Sequence, residues 1–141
     1  MYPLKSINLV KEILVSDVAE ENSSLAYIEG NDQVPFSIKR VFYIYDVKAN
    51  EIRGRHAHKL CNQFLICLAG EVEVICDDGL QKKTFTLKSP LEGLHIPPTI
   101  WAEQIYKTTG SIMLVLTDRK YDESDYIRNY KRFLEYRERD F

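Results

Sequence analysis

The hydrophobic positions of this 141-residue chain come in short runs, broken every few residues by Gly, Asp, Asn or Pro. That texture predicts many short strands joined by sharp turns, the style of an all-β sandwich or barrel. Residues 41–47 are rich in β-branched and aromatic side chains, which favour strands. Residues 64–68 are apolar throughout, as a strand buried on both faces is. A turn at 69–71 follows. Val72, Val74 and Cys76 then alternate with Glu71, Glu73 and Ile75, giving one apolar and one mixed face. Asp77-Asp78-Gly79 is a hairpin signal, because Gly tolerates the positive φ such turns need, and 83–87 is the returning strand. Residues 93–98 read as a strand ending in the Pro97-Pro98 corner, and 100–106 and 111–117 complete the set. Near the C-terminus the period changes. Tyr126, Ile127, Tyr130, Phe133 and Leu134 fall on one face of an α-helix, with Asp122 or Ser124 to cap its start. Arg128, Lys131, Arg132, Arg137 and Arg139 make the other face basic, and it is expected to face solvent.

Length and charge narrow the function classes. A chain of this size makes one domain, 1–141. Its 19 Lys and Arg nearly balance 21 Asp and Glu, so it offers no basic field for a phosphodiester backbone, and nucleic acid is not an expected partner. No apolar run approaches the roughly 20 residues of a membrane helix. The first ten residues lack the apolar stretch and cleavage signature of a secretory signal. Cys61, Cys67 and Cys76 are too few and too irregularly spaced for a disulfide framework or a zinc cage, and Cys67 and Cys76 read as small core residues. A cytoplasmic location, with no membrane partner, is the expectation.

The sharpest chemical feature is Arg53-Gly54-Arg55-His56-Ala57-His58. On a strand, His56 and His58 project to one face, about 7 Å apart by the strand rise. Imidazoles titrate near neutrality, so such a pair serves as acid/base groups, as metal ligands or as a structural pair. A metal needs more ligands than this. Gln63 is a poor one, and the only other histidine, His95, lies far along the chain. Proton transfer without a metal is therefore the favoured reading. Tyr43 and Tyr45 form a second i, i+2 pair on the preceding strand, where a phenol inside a barrel can orient an imidazole. Arg53, Arg55 and Lys59 concentrate positive charge around the histidines in a chain of slightly negative charge, and guanidinium forks match diphosphate oxygens. No glycine-rich phosphate loop is present, which excludes the nucleoside-triphosphate folds.

The His-x-His after Gly54 resembles the first motif of the cupin superfamily, with Gln63 where that motif has Glu and Gly70 at its last spacing. The second cupin motif is partly visible in residues 93–98, without its ligand His. Longer strings, at 38–46, 53–59, 63–70, 77–79 and 121–128, resemble the sugar-nucleotide 3,4-ketoisomerases. That resemblance implies a metal-free, cofactor-free cupin (jelly-roll) barrel with a C-terminal α-helix, working as a homodimer that exchanges N-terminal strands. It implies a dTDP-linked 4-keto-6-deoxy sugar as substrate, with the keto group moved from C4 to C3. His56 and His58 are then the acid/base groups, His56 as the main shuttle and His58 supported by Tyr43. Arg53 and Lys59 would lie near the diphosphate, and Arg55, Gln63 and Trp101 complete the expected substrate-binding set. Many members carry His or Arg after the Trp; this chain has Ala102 there. A 3,5-epimerase of the same keto sugar and a non-enzymatic cupin that binds sugar nucleotides are the competing expectations.

Overall fold

Inward and outward positions alternate along several of the strands, and most strands divide between two antiparallel sheets. A computed structural model describes residues 4–139, and the side chain of Arg139 falls outside that description. The strands are β1 (Lys11–Leu14), β2 (Ser16–Ala19), β3 (Ser24–Tyr27), β4 (Arg40–Val47), β5 (Glu51–His58), β6 (Gln63–Ala69), β7 (Val72–Asp77), β8 (Lys82–Leu87), β9 (Glu92–Ile96), β10 (Trp101–Tyr106), β11 (Ser111–Thr117) and β12 (Tyr126–Ile127). One helix, α1 (Tyr130–Arg139), follows. The sheets have the orders β1-β9-β6-β11-β4 and β12-β5-β10-β7-β8, and β2 pairs with β3 as a separate hairpin. Successive strands from β4 to β11 are dealt between the two sheets in the manner of a jelly roll.

The main core lies between the sheets. Leu65, Val74, Leu94, Tyr106, Met113 and Val115 face one another there with almost no exposure. Cys67 and Cys76 are free thiols in this core, as small apolar residues. The outer face of the first sheet is also covered. Phe64, Ile66 and Leu116 pack under Val15, Val34 and Phe36 from the segment before β4. This double burial is why β6 reads as an unbroken apolar run. A Cβ at Gly93 would collide with the Phe64 ring, so the glycine makes room for that packing. On the second sheet, Ala57, Trp101 and Ile127 are covered by Phe133 of α1. One end of the core is closed by the 3-10 turn Ile7–Leu9, whose Ile7 N–H donates to Asp78 Oδ2 at 2.8 Å.

The C-terminal segment differs from its sequence pattern. Tyr126 and Ile127 are not helical: they pair with His58 and Ala57 as a short edge strand. The helix begins at Tyr130. Asp122 caps a 3-10 turn, Glu123–Asp125, by accepting from the Ser124 N–H at 3.0 Å. Strand pairing with β5 outweighs the helical spacing here. The basic face is also not uniformly solvated. Lys131 and Arg132 are exposed, but Arg137 is buried, and its Nη1 donates to the carbonyls of Lys5 and Thr99 at 2.8 Å each. Among the described residues no helix is long and apolar enough to cross a membrane.

Candidate active site

β5 carries a bulge that decides which of its side chains meet. Opposite β10, Ala102 pairs with His56, Glu103 with Gly54 and Gln104 with Arg53, so Arg55 is the extra residue. Gly54 and Arg55 both adopt positive φ, 88° and 52°. In an uninterrupted strand Arg53 and His56 would face opposite sides. The bulge resets the alternation, placing Arg53 on the inward face with His56 and His58. Arg55 is turned outward, where it pairs with Glu103 at 3.3 Å. The cationic cluster read from the sequence is thus divided, with Arg53 on the histidine face and Arg55 on the other.

His56 and His58 lean together, with ring centroids 5.0 Å apart and planes nearly perpendicular. The Nδ1 of His56 lies 2.9 Å from the Gly54 carbonyl oxygen and donates to it, so in the neutral ring Nε2 keeps a lone pair. Burial, the neighbouring His58 and Arg128 bring the His56 imidazole down to about 4, against the lesser opposing pull of the Gly54 carbonyl and Glu123. His56 is therefore neutral at ordinary pH. His58 is 6% exposed, and its Nδ1 lies 2.9 Å from Asp125 Oδ2. Its Nε2 is buried and has no hydrogen-bond partner among the described residues.

Asp125 and Tyr126 were not singled out from the sequence. Asp125 accepts three hydrogen bonds, from His58 Nδ1 and from the backbone N–H groups of Leu60 (2.7 Å) and Cys61 (3.3 Å). Burial pushes its carboxyl upward, but these donors outweigh burial and hold it below the ordinary range. Tyr126, opposite His58 across the strands, packs its ring against both imidazoles, at 4.4 Å from His58 and 5.0 Å from His56. Arg128 lies over Tyr126 at 4.2 Å and grips Glu123 with two hydrogen bonds, of 2.7 and 2.9 Å. Tyr121 donates to the same carboxylate at 2.5 Å. The Asp122 cap produces this arrangement, since the 3-10 turn points Asp125 inward and delivers Tyr126 to β5. The trace in the sequence was the string at 121–128, which carries the family resemblance but not the position of its side chains.

The other expected residues are placed as follows. Tyr43 lies on the outward face of edge strand β4, is 63% exposed and stacks at 6.0 Å on Tyr45. It makes no ring contact or hydrogen bond with either imidazole among the described residues, and the aromatic beside the pair is Tyr126. The alternation of β4 turns Phe42 and Ile44 inward instead. Gln63 is buried on the inward face of β6, opposite Thr117. Lys59 follows His58 directly, and its N–H donates to the Asp125 carbonyl at 2.9 Å. Trp101 is directed away from the histidines, into the layer beneath α1, with Tyr130 at 5.3 Å and Phe133 at 5.7 Å. Its neighbour Ala102 is the residue facing His56. His95 is on the outer face of its sheet, hydrogen bonded to Asn62 Oδ1 at 2.9 Å and packed near Phe36, so it supplies no third imidazole to the pair.

A cavity of about 540 Å³ opens beside His58, lined among others by Arg40, Leu60, Tyr121, Asp125 and Tyr126. Donor atoms of His58, Cys61 and Asp125 lie within 4.8 Å of one another. They suit a metal poorly. Burial and the carboxylates of Asp118 and Asp125 push the Cys61 thiol up to about 12, and Asp125 already receives three donors. Only the thiolate is a strong ligand.

Comparison with known proteins places the chain in a family. Residues 7–138 match the family model FdtA: WxcM-like, C-terminal. The chain is 45% identical over 126 residues to a TDP-4-oxo-6-deoxy-alpha-D-glucose-3,4-oxoisomerase of Aneurinibacillus thermoaerophilus, covering 89% of this chain and 91% of that protein. The crystal structure of QdtA, a sugar 3,4-ketoisomerase from Thermoanaerobacterium thermosaccharolyticum in complex with TDP, is similar with a TM-score of 0.91 and 39% identity over 96% of this chain and 99% of that one. WlaRA, a TDP-fucose-3,4-ketoisomerase of Campylobacter jejuni, is similar with a TM-score of 0.85 and 36% identity over 92% and 96% of the two chains. The barrel, the paired imidazoles and these likenesses lead to one assignment: the chain belongs to the FdtA family of cupin-type sugar-nucleotide 3,4-ketoisomerases.

Proposed function

We propose that the chain converts TDP-4-keto-6-deoxyglucose to its 3-keto isomer, feeding the synthesis of 3-amino-3,6-dideoxysugars. A mutant form of the related QdtA binds TDP-4-keto-6-deoxyglucose. The hydrogen at C3 is acidic because it is α to the C4 carbonyl. Its removal gives an enediolate, and return of a proton to C4 gives the product. The C3 alcohol is oxidised as the C4 ketone is reduced, so electrons balance within the sugar and the step calls for no external oxidant.

The two imidazoles suit different parts of this exchange. His56 is neutral and has a free Nε2 lone pair, as a base for the C3 hydrogen requires, and the same nitrogen can return the proton to C4. His58 shuttles the proton between the two oxygens or stabilises the enediolate. Arg53 shares their face, and with Lys59 it meets the diphosphate. The observation that carries the reading is the pair of imidazoles in edge contact on one inward face, in a chain of this family.

Reaction in deuterated water followed by NMR tests it. Label is expected at C3 or C4 of the sugar and none at C5. Label at C5 would establish the 3,5-epimerase, and bound substrate with no product on long incubation would establish a binding protein. We further infer a homodimer that exchanges N-terminal strands, since Leu14, Val18, Leu25 and Tyr27 of β1–β3 and Val41, Tyr43 and Tyr45 of β4 are exposed apolar side chains. Three buried, unpaired thiols accord with a cytoplasmic setting.

A further inference from the structure

We infer that Asp125 is a positioning residue that locks His58 into the Nδ1–H tautomer and so commits its Nε2 to the substrate. The inference rests on the ketoisomerase reading for its kinetic part and on the ligand-free protein for its spectroscopic part.

Asp125 is a buried carboxylate whose three donors keep it ionised. An ionised carboxylate can only accept, so the His58 nitrogen 2.9 Å away must donate. The proton is therefore on Nδ1 whether the ring is neutral or charged. In the neutral ring the lone pair then sits on Nε2. That nitrogen is buried and has no partner among the described residues, an arrangement that is unfavourable until a ligand group fills it. The N–H bonds from Leu60 and Cys61 hold the carboxylate from the other side, so the 3-10 turn Glu123–Asp125, the loop after β5 and the His58 ring are fixed relative to one another. His56 has only a neutral carbonyl behind it. The two rings of the pair are thus given different backing. Asp125 holds the His58 ring through its Nδ1–H, which leaves Nε2 to hand a proton between the substrate oxygens. His56 is left as the neutral base.

Long-range proton–nitrogen NMR of the ligand-free protein reads the tautomer directly. The expected result is a protonated Nδ1 on His58; a protonated Nε2 and bare Nδ1 in the wild-type protein would overturn the inference without touching the assigned reaction. In Asp125→Asn, kcat is expected to fall by about 100-fold or more, with TDP affinity within about threefold of wild type. In a His58→Gln background the same substitution is expected to change kcat by less than about threefold, because Asp125 acts through His58. An equal loss in both backgrounds, or near-normal kcat in the single variant, would refute it. If Asp125→Asn does not fold, the wild-type tautomer still decides the question.

Discussion

His56 illustrates how one side chain carries both chemistry and a stability cost. Burial, His58 and Arg128 move its ring from 6.5 to about 4. In the unfolded chain the ring titrates near 6.5, so between those values the unfolded state binds the extra proton. Folding is therefore unpenalised above the unfolded value and loses on the order of 3 kcal/mol as pH falls toward the folded one. The depressed carboxyl of Asp125 acts in the same direction, since protonating it also favours unfolding. Urea midpoints are expected to drop between about pH 7 and pH 5, and to drop less in His56→Gln; equal pH slopes for the two proteins would disprove the assignment. The histidine pair itself was legible in the sequence, because i, i+2 spacing on a strand needs no tertiary knowledge. Asp125 was not, because it stands 67 positions from His58 and reaches it only through the fold. The phenol sought in Tyr43 could not be assigned to a face from alternation alone. The ring that lies against the imidazoles came from Tyr126, in a stretch whose helical spacing concealed an edge strand.

At the scale of elements, β4 and the strands from β6 to β11 were legible to within a residue or two, because their apolar positions face a core on one side or both, whereas β5 was assumed only as the strand that carries the two histidines. The bulge in β5 was not, although Gly54 marks it. A Cβ there would lie 3.2 Å from the Ala102 carbonyl oxygen, at a φ of 88° that side chains other than glycine rarely adopt. Gly54→Ala is expected to cost about 1–2 kcal/mol in stability. It should also raise KM for the sugar nucleotide more than it lowers kcat, because the bulge aims Arg53 while the imidazoles follow it in the strand. Thermal melts and steady-state kinetics check both parts. A variant with unchanged KM would show that Arg53 does not depend on the bulge for its place at the diphosphate.

For the whole molecule, the two sheets and their covering layers enclose three apolar clusters, yet the outer face of β4 and the β1–β3 region remain apolar and exposed, with Leu14 at 79%. Strand β4 also ends its sheet, leaving one row of backbone groups unpaired. Light scattering of the purified protein is expected to give twice the mass of the chain, and Tyr43→Glu with Tyr45→Glu to shift it toward the monomer. A wild-type monomer at micromolar concentration would end the dimer reading. This surface was invisible to sequence patterning, which assigns apolar residues to a core without saying whose core it is.

The dependence of His58 on a residue so far downstream has a bearing on biosynthesis. A chain still being translated has both imidazoles and β1 through β11 before residue 121 is added, but it has no carboxylate behind His58. On the roles argued above, products that stop short of residue 125 would be impaired toward keto sugars, and competence would arrive only once the segment 121–128 has been made.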